Sequence, residues 1–347
     1  MSASGGTKAI VAALIANLSI AVAKFVAFVI TSSSSMLAES IHSLADSGNQ
    51  ILLLVGGKRA TRASTPQHPF GYGRERYFYA FVVAVVLFTV GALFSLYEGY
   101  HKISEPHGVD TPIVAFGVLI FAIIAEAFSF RTAIREANAV RGKQSWVQFI
   151  RRSKSPELPV IVLEDLGALL GLIFALFGVT MAVVTGDGIW DGIGTLMIGV
   201  LLACIAVILA IETKSLLIGE SAGPEIEREI VTALTAGPEV PQVIHLRTLH
   251  LGPEELLVAA KIAMAHDDTA AEVARGIDAA EQRIRAAVPS ARVIYLEPDL
   301  YETRRTNGAA GQTPAQVGHD APPAVDAGTP GDSPGGDSPG GADATVS

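Results

Sequence analysis

The sequence predicts a bundle of six membrane helices followed by a small soluble α+β domain. Three observations carry that expectation. Half of the 347 residues are hydrophobic, only 17% are charged and the mean hydropathy is +0.43, whereas soluble domains carry about 25% charge. The apolar residues gather into runs of about 20 before residue 212, long enough to cross a bilayer. After Glu212 the composition turns polar, with the shorter periodicities of a soluble domain. An ordinary soluble enzyme is excluded on these grounds. The single cysteine, Cys204, permits neither an intrachain disulfide nor a CxxC metal motif. The net charge of −9 comes largely from the C-terminal half, and nothing basic enough for nucleic-acid binding appears.

The spans follow in order. The first covers about Ala9 to Ile30; Lys24 and the absence of a small-residue cleavage site make it a retained helix, not a signal peptide. The second, about Ser35 to Gly56, is the most polar. The third runs from Phe78 to about Glu98, the fourth from Pro112 to about Phe130, the fifth from Leu158 to about Val184 and the sixth from Trp190 to about Ile211. Cations concentrate in two connections, at Lys58, Arg59, Arg62, Arg74 and Arg76, and again between Arg131 and Lys154. The positive-inside rule then puts both termini in the cytoplasm, in a multi-pass protein of the cell membrane.

In the soluble part, Pro224–Leu234 and Thr269–Ala287 have helical spacing. Gln242–Leu251 and Glu255–Ala265 read as strands joined at Gly252-Pro253, and Arg292–Leu296 as a third strand. The expected division is a membrane domain over 1–212, a soluble domain over 213–301 and a tail over 302–347. The tail is rich in Gly, Pro, Ser and Asp, repeats GDSPG and has nothing apolar enough to bury a core, so disorder is expected there.

Ionisable groups inside the spans cost about 2.5–3.5 kcal/mol each on insertion scales, so they carry the information. Glu39, His42, Asp46 and Asn49 recur at spacings of 3, 4 and 3, which confines them to a sector of roughly 80° on one helix face. His42 and Asp46, at i and i+4, present an imidazole nitrogen and a carboxylate to one point, a pairing suited to a metal ion or a proton relay. The fifth span adds Glu164 and Asp165. Adjacent residues diverge by about 100°, so one is expected to line the site and the other to sit at its rim or pair with a cation. Asp165 with His42 and Asp46 gives three ligands; Glu164 or a water completes a tetrahedron. Glu126 falls late in the fourth span, within reach of the headgroups. Asn17 and Lys24 bond neighbouring helices or snorkel. Asp191 suits a helix start, and His68 is a loop residue.

The run SMLAESIHSLADSGNQ, followed by HPFGYGRERY, resembles the cation diffusion facilitator family of divalent-metal transporters, particularly its mitochondrial zinc-transporter branch. The resemblance extends over about residues 7–300 and includes LRTLHLGPEELLVAAKI and YLEPD. It implies six membrane helices, a cytoplasmic ferredoxin-like domain that forms a homodimer, and metal export against protons. It places His42, Asp46 and Asp165 on the family's transport-site ligands. The remaining ligand position is Ile161 here, which opens the choice of metal from zinc to manganese, iron or cobalt. Of a metal site in the first cytoplasmic loop only His68 is present, Tyr72 standing at its later position. The metal positions of some C-terminal domains are Ile244, Ala260 and Leu296, so dimerisation without bound metal is implied. No resident cofactor is expected. Rival readings are a cation channel and a membrane enzyme, the latter lacking an identifiable nucleophile.

Overall fold

A computed structural model describes residues 4–31, 34–106 and 112–300. The 302–347 tail lies outside the described residues, as do the side chains of Glu39 and His42.

The apolar runs form long helices: α1 (Ser4–Thr31), α2 (Ser34–Ala60), α3 (Glu75–Ser104) and α4 (Pro112–Arg141). After a short α5 (Trp146–Arg152) come α6 (Glu157–Thr185) and α7 (Ile189–Ile218). Among the described residues, five helices are long and apolar enough to cross a membrane: α1, α3, α4, α6 and α7. Polar positions such as Asp46, Asn49 and Gln50 set α2 apart. Helices of 29 or 30 residues extend about 45 Å, well beyond the ~30 Å hydrocarbon layer. Several therefore run past the expected span ends: α4 continues to Arg141 and α7 to Ile218. Outward-facing Ile113, Ile124, Phe128 and Val184 are exposed and suit contact with lipid tails. This is a multi-pass membrane protein.

Helix α1 packs on α2 and α4, α2 on α3, α3 on α7, α7 on α6, and α6 on α4, closing a ring of six. Helix α6 also touches α1 and α3, and every residue from Pro156 to Asp165 is buried. A helix enclosed on all sides at that end holds its polar residues away from lipid. Glycines let the neighbouring backbones approach. A Cβ on Gly178 would stand 2.9 Å from the Trp190 carbonyl oxygen, and one on Gly194 2.8 Å from that of Phe174. Small residues serve this purpose where lipid removes the usual hydrophobic drive for helices to associate. The middle of α3, Leu87–Leu93, is π-helical and packs on α7.

The soluble part contains α8 (Pro224–Thr235), β1 (Val243–Gly252), β2 (Glu255–Met264), α9 (Ala270–Ala287) and β3 (Ala291–Leu300). The sheet has order β1-β2-β3, antiparallel between β1 and β2 and parallel between β2 and β3. Alternate residues of the central strand, Leu256, Val258, Ala260 and Ile262, are buried in one core with Ile230 and Leu234 of α8 and with Ala280 and Ile284 of α9. Thr269 and Glu272 cap α9 reciprocally. Strand β3 runs beyond Leu296, pairing with β2 as far as Leu300 opposite Met264, and Lys261 on β2 binds Glu297 at 3.2 Å and Asp299 at 2.8 Å along this extension. Pro298 is tolerated because β3 is an edge strand.

Both cation-bearing connections meet the soluble domain at one end of the ring. A Cβ on Gly73 would lie 2.7 Å from the Leu251 carbonyl oxygen. The His250 backbone N–H donates to the Glu220 carbonyl at 2.9 Å, and Lys154 pairs with the Glu220 side chain.

Candidate metal centre

Four helices send polar side chains into the ring. Helix α2 contributes Asp46, Asn49 and Gln50, α6 contributes Glu164 and Asp165, α4 contributes Glu126 and Ser129, and α1 contributes Asn17 and Lys24. All but Asp46 are buried, Asn49 and Asp165 to 1% exposure and Gln50 to 0%. With no water in the bilayer interior, each polar group needs a partner from the protein or from cargo.

The partners are specific. Asn49 Nδ2 donates to Glu164 Oε1 at 2.8 Å, and Gln50 Nε2 donates to Glu164 Oε2 at 3.1 Å. Asn17 Nδ2 donates to Gln50 Oε1 at 3.4 Å. Ser129 Oγ donates to Asp165 Oδ2 at 2.8 Å. Lys24 Nζ donates to Ser43 Oγ at 3.1 Å, so Lys24 bonds a neighbouring helix and stays inside the bundle. Asn49 Oδ1 is buried and has no hydrogen-bond partner. The two acids of α6 thus diverge as helix geometry requires: Glu164 turns to α2, and Asp165 turns to α4.

Glu126 is not at the headgroups. It lies halfway along α4 and is 2% exposed, close enough to Asp165, Asp46, Glu164 and Lys24 for their charges to act on it. Sequence reasoning also passed over Gln50 and Ser129, which are neutral. Their signal was spacing: Gln50 is i+4 from Asp46, and Ser129 is i+3 from Glu126. Among the described residues, no three His, Cys, Asp or Glu side chains stand at metal-binding spacing; the imidazole of His42 lies outside that set, as does the carboxylate of Glu39. Ile161 is fully buried on the Asp165 side of α6, one turn earlier.

Two other candidates belong elsewhere. Asp191 pairs with Lys102 at 2.9 Å, between the start of α7 and the end of α3. His68 sits in the loop before α3, its ring edge-on to Tyr72 at 4.7 Å.

A closed ring of helices, five of them long and apolar enough to cross a membrane, with carboxylates and amides gathered inside it, is the layout of a protein that handles ions within the bilayer. The chain belongs to the cation diffusion facilitator family: residues 10–218 match the cation efflux transmembrane domain. That family consists of transporters, not enzymes. A proton-coupled mitochondrial zinc antiporter of Homo sapiens is 31% identical over 231 residues, covering 66% of this chain and 41% of its own length. Metal tolerance protein C4 of Arabidopsis thaliana is 26% identical over 260 residues, covering 74% and 56%. A manganese efflux system protein of Bacillus subtilis is 24% identical over 263 residues, covering 74% and 83%. This chain therefore spans about two fifths of the length of the human relative.

Proposed function

We propose that this protein exports divalent metal cations from the cytoplasm in exchange for protons, with zinc the first candidate cargo and manganese, iron or cobalt the alternatives. His42, Asp46 and Asp165 are the ligands. The human relative is named for zinc and proton coupling and the Bacillus relative for manganese, and the apolar Ile161 leaves that choice open. The observation that carries the reading is the pair of hydrogen bonds from Asn49 and Gln50 to Glu164. They hold the Asp46 turn of α2 beside the turn of α6 that carries Asp165, whose carboxylate is itself turned to Ser129 of α4 and would have to swing towards α2 to share a metal with His42 and Asp46.

The coupling follows from the ligand chemistry. An imidazole titrates near neutral pH and binds metal only when neutral. Metal and protons compete for the same nitrogen and oxygens, so an inward proton gradient drives metal outward. Protonating the empty site also lowers its charge for the return step through a low-dielectric interior.

The working unit is a homodimer in the cell membrane. The 1–212 domain spans the bilayer six times, α2 included, with both termini in the cytoplasm. The 213–301 domain is ferredoxin-like and dimerises. The test is a panel of zinc, manganese, iron and cobalt in proteoliposomes with an imposed pH gradient. His42→Ala and Asp46→Ala each abolish transport while leaving a folded dimer. Near-normal transport by either purified variant contradicts the ligand assignment, and conduction without proton coupling indicates a channel.

A further inference from the structure

We propose that Glu164 is a positioning residue, a bracket that fixes the register of α2 against α6, and not a fourth metal ligand. The proposal deepens the metal-site reading above and rests on it. Both carboxylate oxygens are already engaged, Oε1 by Asn49 at 2.8 Å and Oε2 by Gln50 at 3.1 Å. Each oxygen keeps a second lone pair, but the two bonds together aim the carboxylate at the amides one turn past Asp46, and turning it towards a metal beside Asp46 would strain both of them. The donors are adjacent on α2 and lie three and four residues past Asp46, about one turn of 5.4 Å. Glu164 immediately precedes Asp165. The bracket therefore ties together the two turns that present ligands, and a slide of either helix by half a turn breaks both bonds. Gln50 extends the tie to α1 by accepting from Asn17. A carboxylate only accepts hydrogen bonds, so it also orients the Asn49 amide, turning Nδ2 inward and leaving Oδ1 without a partner.

That unpartnered oxygen provides the test. In Glu164→Gln the new amide oxygen still accepts from Gln50. Its new N–H group can donate to Asn49 Oδ1 once the Asn49 amide turns over. The bracket survives with an amide in place of the carboxyl group. In Asn49→Asp two carboxylates face each other and the bracket opens. Combining Asn49→Asp with Glu164→Gln restores a donor opposite an acceptor. Metal affinity is measured by calorimetry on the full-length protein in detergent, with zinc and manganese ions, for the wild type, these three variants and Asp165→Asn.

The expected result is that Glu164→Gln stays within about threefold of wild type. Asn49→Asp weakens binding by about 10–100-fold, the usual cost of losing a group that orients a ligand. The double variant recovers most of that loss, and Asp165→Asn does not bind. Glu164→Gln as weak as Asp165→Asn overturns the proposal, because Glu164 is then a ligand. A double variant no better than Asn49→Asp overturns it too. If Asn49→Asp does not yield a monodisperse protein, the comparison of Glu164→Gln with Asp165→Asn decides alone. Wild-type binding by Asp165→Asn would instead overturn the metal-site reading, and the role of the bracket with it.

Discussion

Gly199→Ala tests the seam between α3 and α7, on which the ring depends. A Cβ at Gly199 would lie 2.7 Å from Leu96 Cγ and 2.8 Å from the Leu96 backbone nitrogen. The leucine side chain can turn away, but the backbone nitrogen cannot. Non-bonded heavy atoms settle at about 3.5–4.0 Å, so the helices must separate by about 0.7–1.2 Å at this level. Gly99 meets Leu196 across the same seam with a 2.7 Å approach to its backbone nitrogen, and that packing is lost with the separation. Overpacking of this kind costs about 1–3 kcal/mol, a fall of several degrees in melting temperature for a domain of this size. Gly99→Ala should cost a similar amount. The double variant should cost less than the sum, because one separation relieves both contacts. The control is Gly117→Ala on α4, where nothing lies within 4 Å of the added Cβ. The assay is thermal unfolding of the purified protein in detergent. A Gly199→Ala variant that melts with Gly117→Ala would refute the close-packed seam.

Ser129→Ala removes the hydroxyl that donates to Asp165 Oδ2 at 2.8 Å; metal affinity should fall by about 10–100-fold and recover in Ser129→Thr, as read by calorimetry. Burial, together with the nearby Lys154 charge, pushes the His250 imidazole below its usual value near 6.5, against the opposing pull of Glu220. Because the folded value lies below the unfolded one, the unfolded chain takes up the proton first as pH falls. Stability is therefore lost as pH drops from about 6.5 towards the folded value. Melting from about pH 7.5 to about pH 5.5 should show a steeper decline for wild type than for His250→Leu, and equal slopes would refute the assignment. For topology, in a Cys204→Ser background, a cysteine introduced at Gly186 should react with an impermeant reagent from outside the cell and one at Gly142 should not; the reverse pattern would contradict the orientation.

The long elements were legible because their signals are long. Runs of about 20 apolar residues mark helices wherever the chain must satisfy its own backbone in lipid. The alternation of Leu256, Val258, Ala260 and Ile262 marks a half-buried strand in the same way. What escaped depends on contacts between distant segments. Gln50 and Ser129 are unremarkable as single neutral residues and gain meaning only opposite Glu164 and Asp165. Glu126 was assigned to the headgroups because the apolar run ends near Phe130, whereas the helix continues to Arg141 and leaves the carboxylate at its middle. The seven residues of α5 are too few for a periodicity, although Ser145 and Gln148 form a reciprocal cap that could have marked its start. The π-helical stretch of α3 leaves no mark in composition at all. Within the site, the 100° divergence of Glu164 and Asp165 could be read from the sequence, but which helix each would meet could not.

The central claim is that metal and protons compete for one site built from His42, Asp46 and Asp165. The most direct measurement follows metal entry and lumenal pH together in proteoliposomes with an acidic lumen and metal outside. The account predicts that metal accumulates above its external concentration while the lumen becomes alkaline, and that Asp165→Asn abolishes both signals together. Metal that merely equilibrates with no change in lumenal pH, or wild-type fluxes through Asp165→Asn, would contradict it.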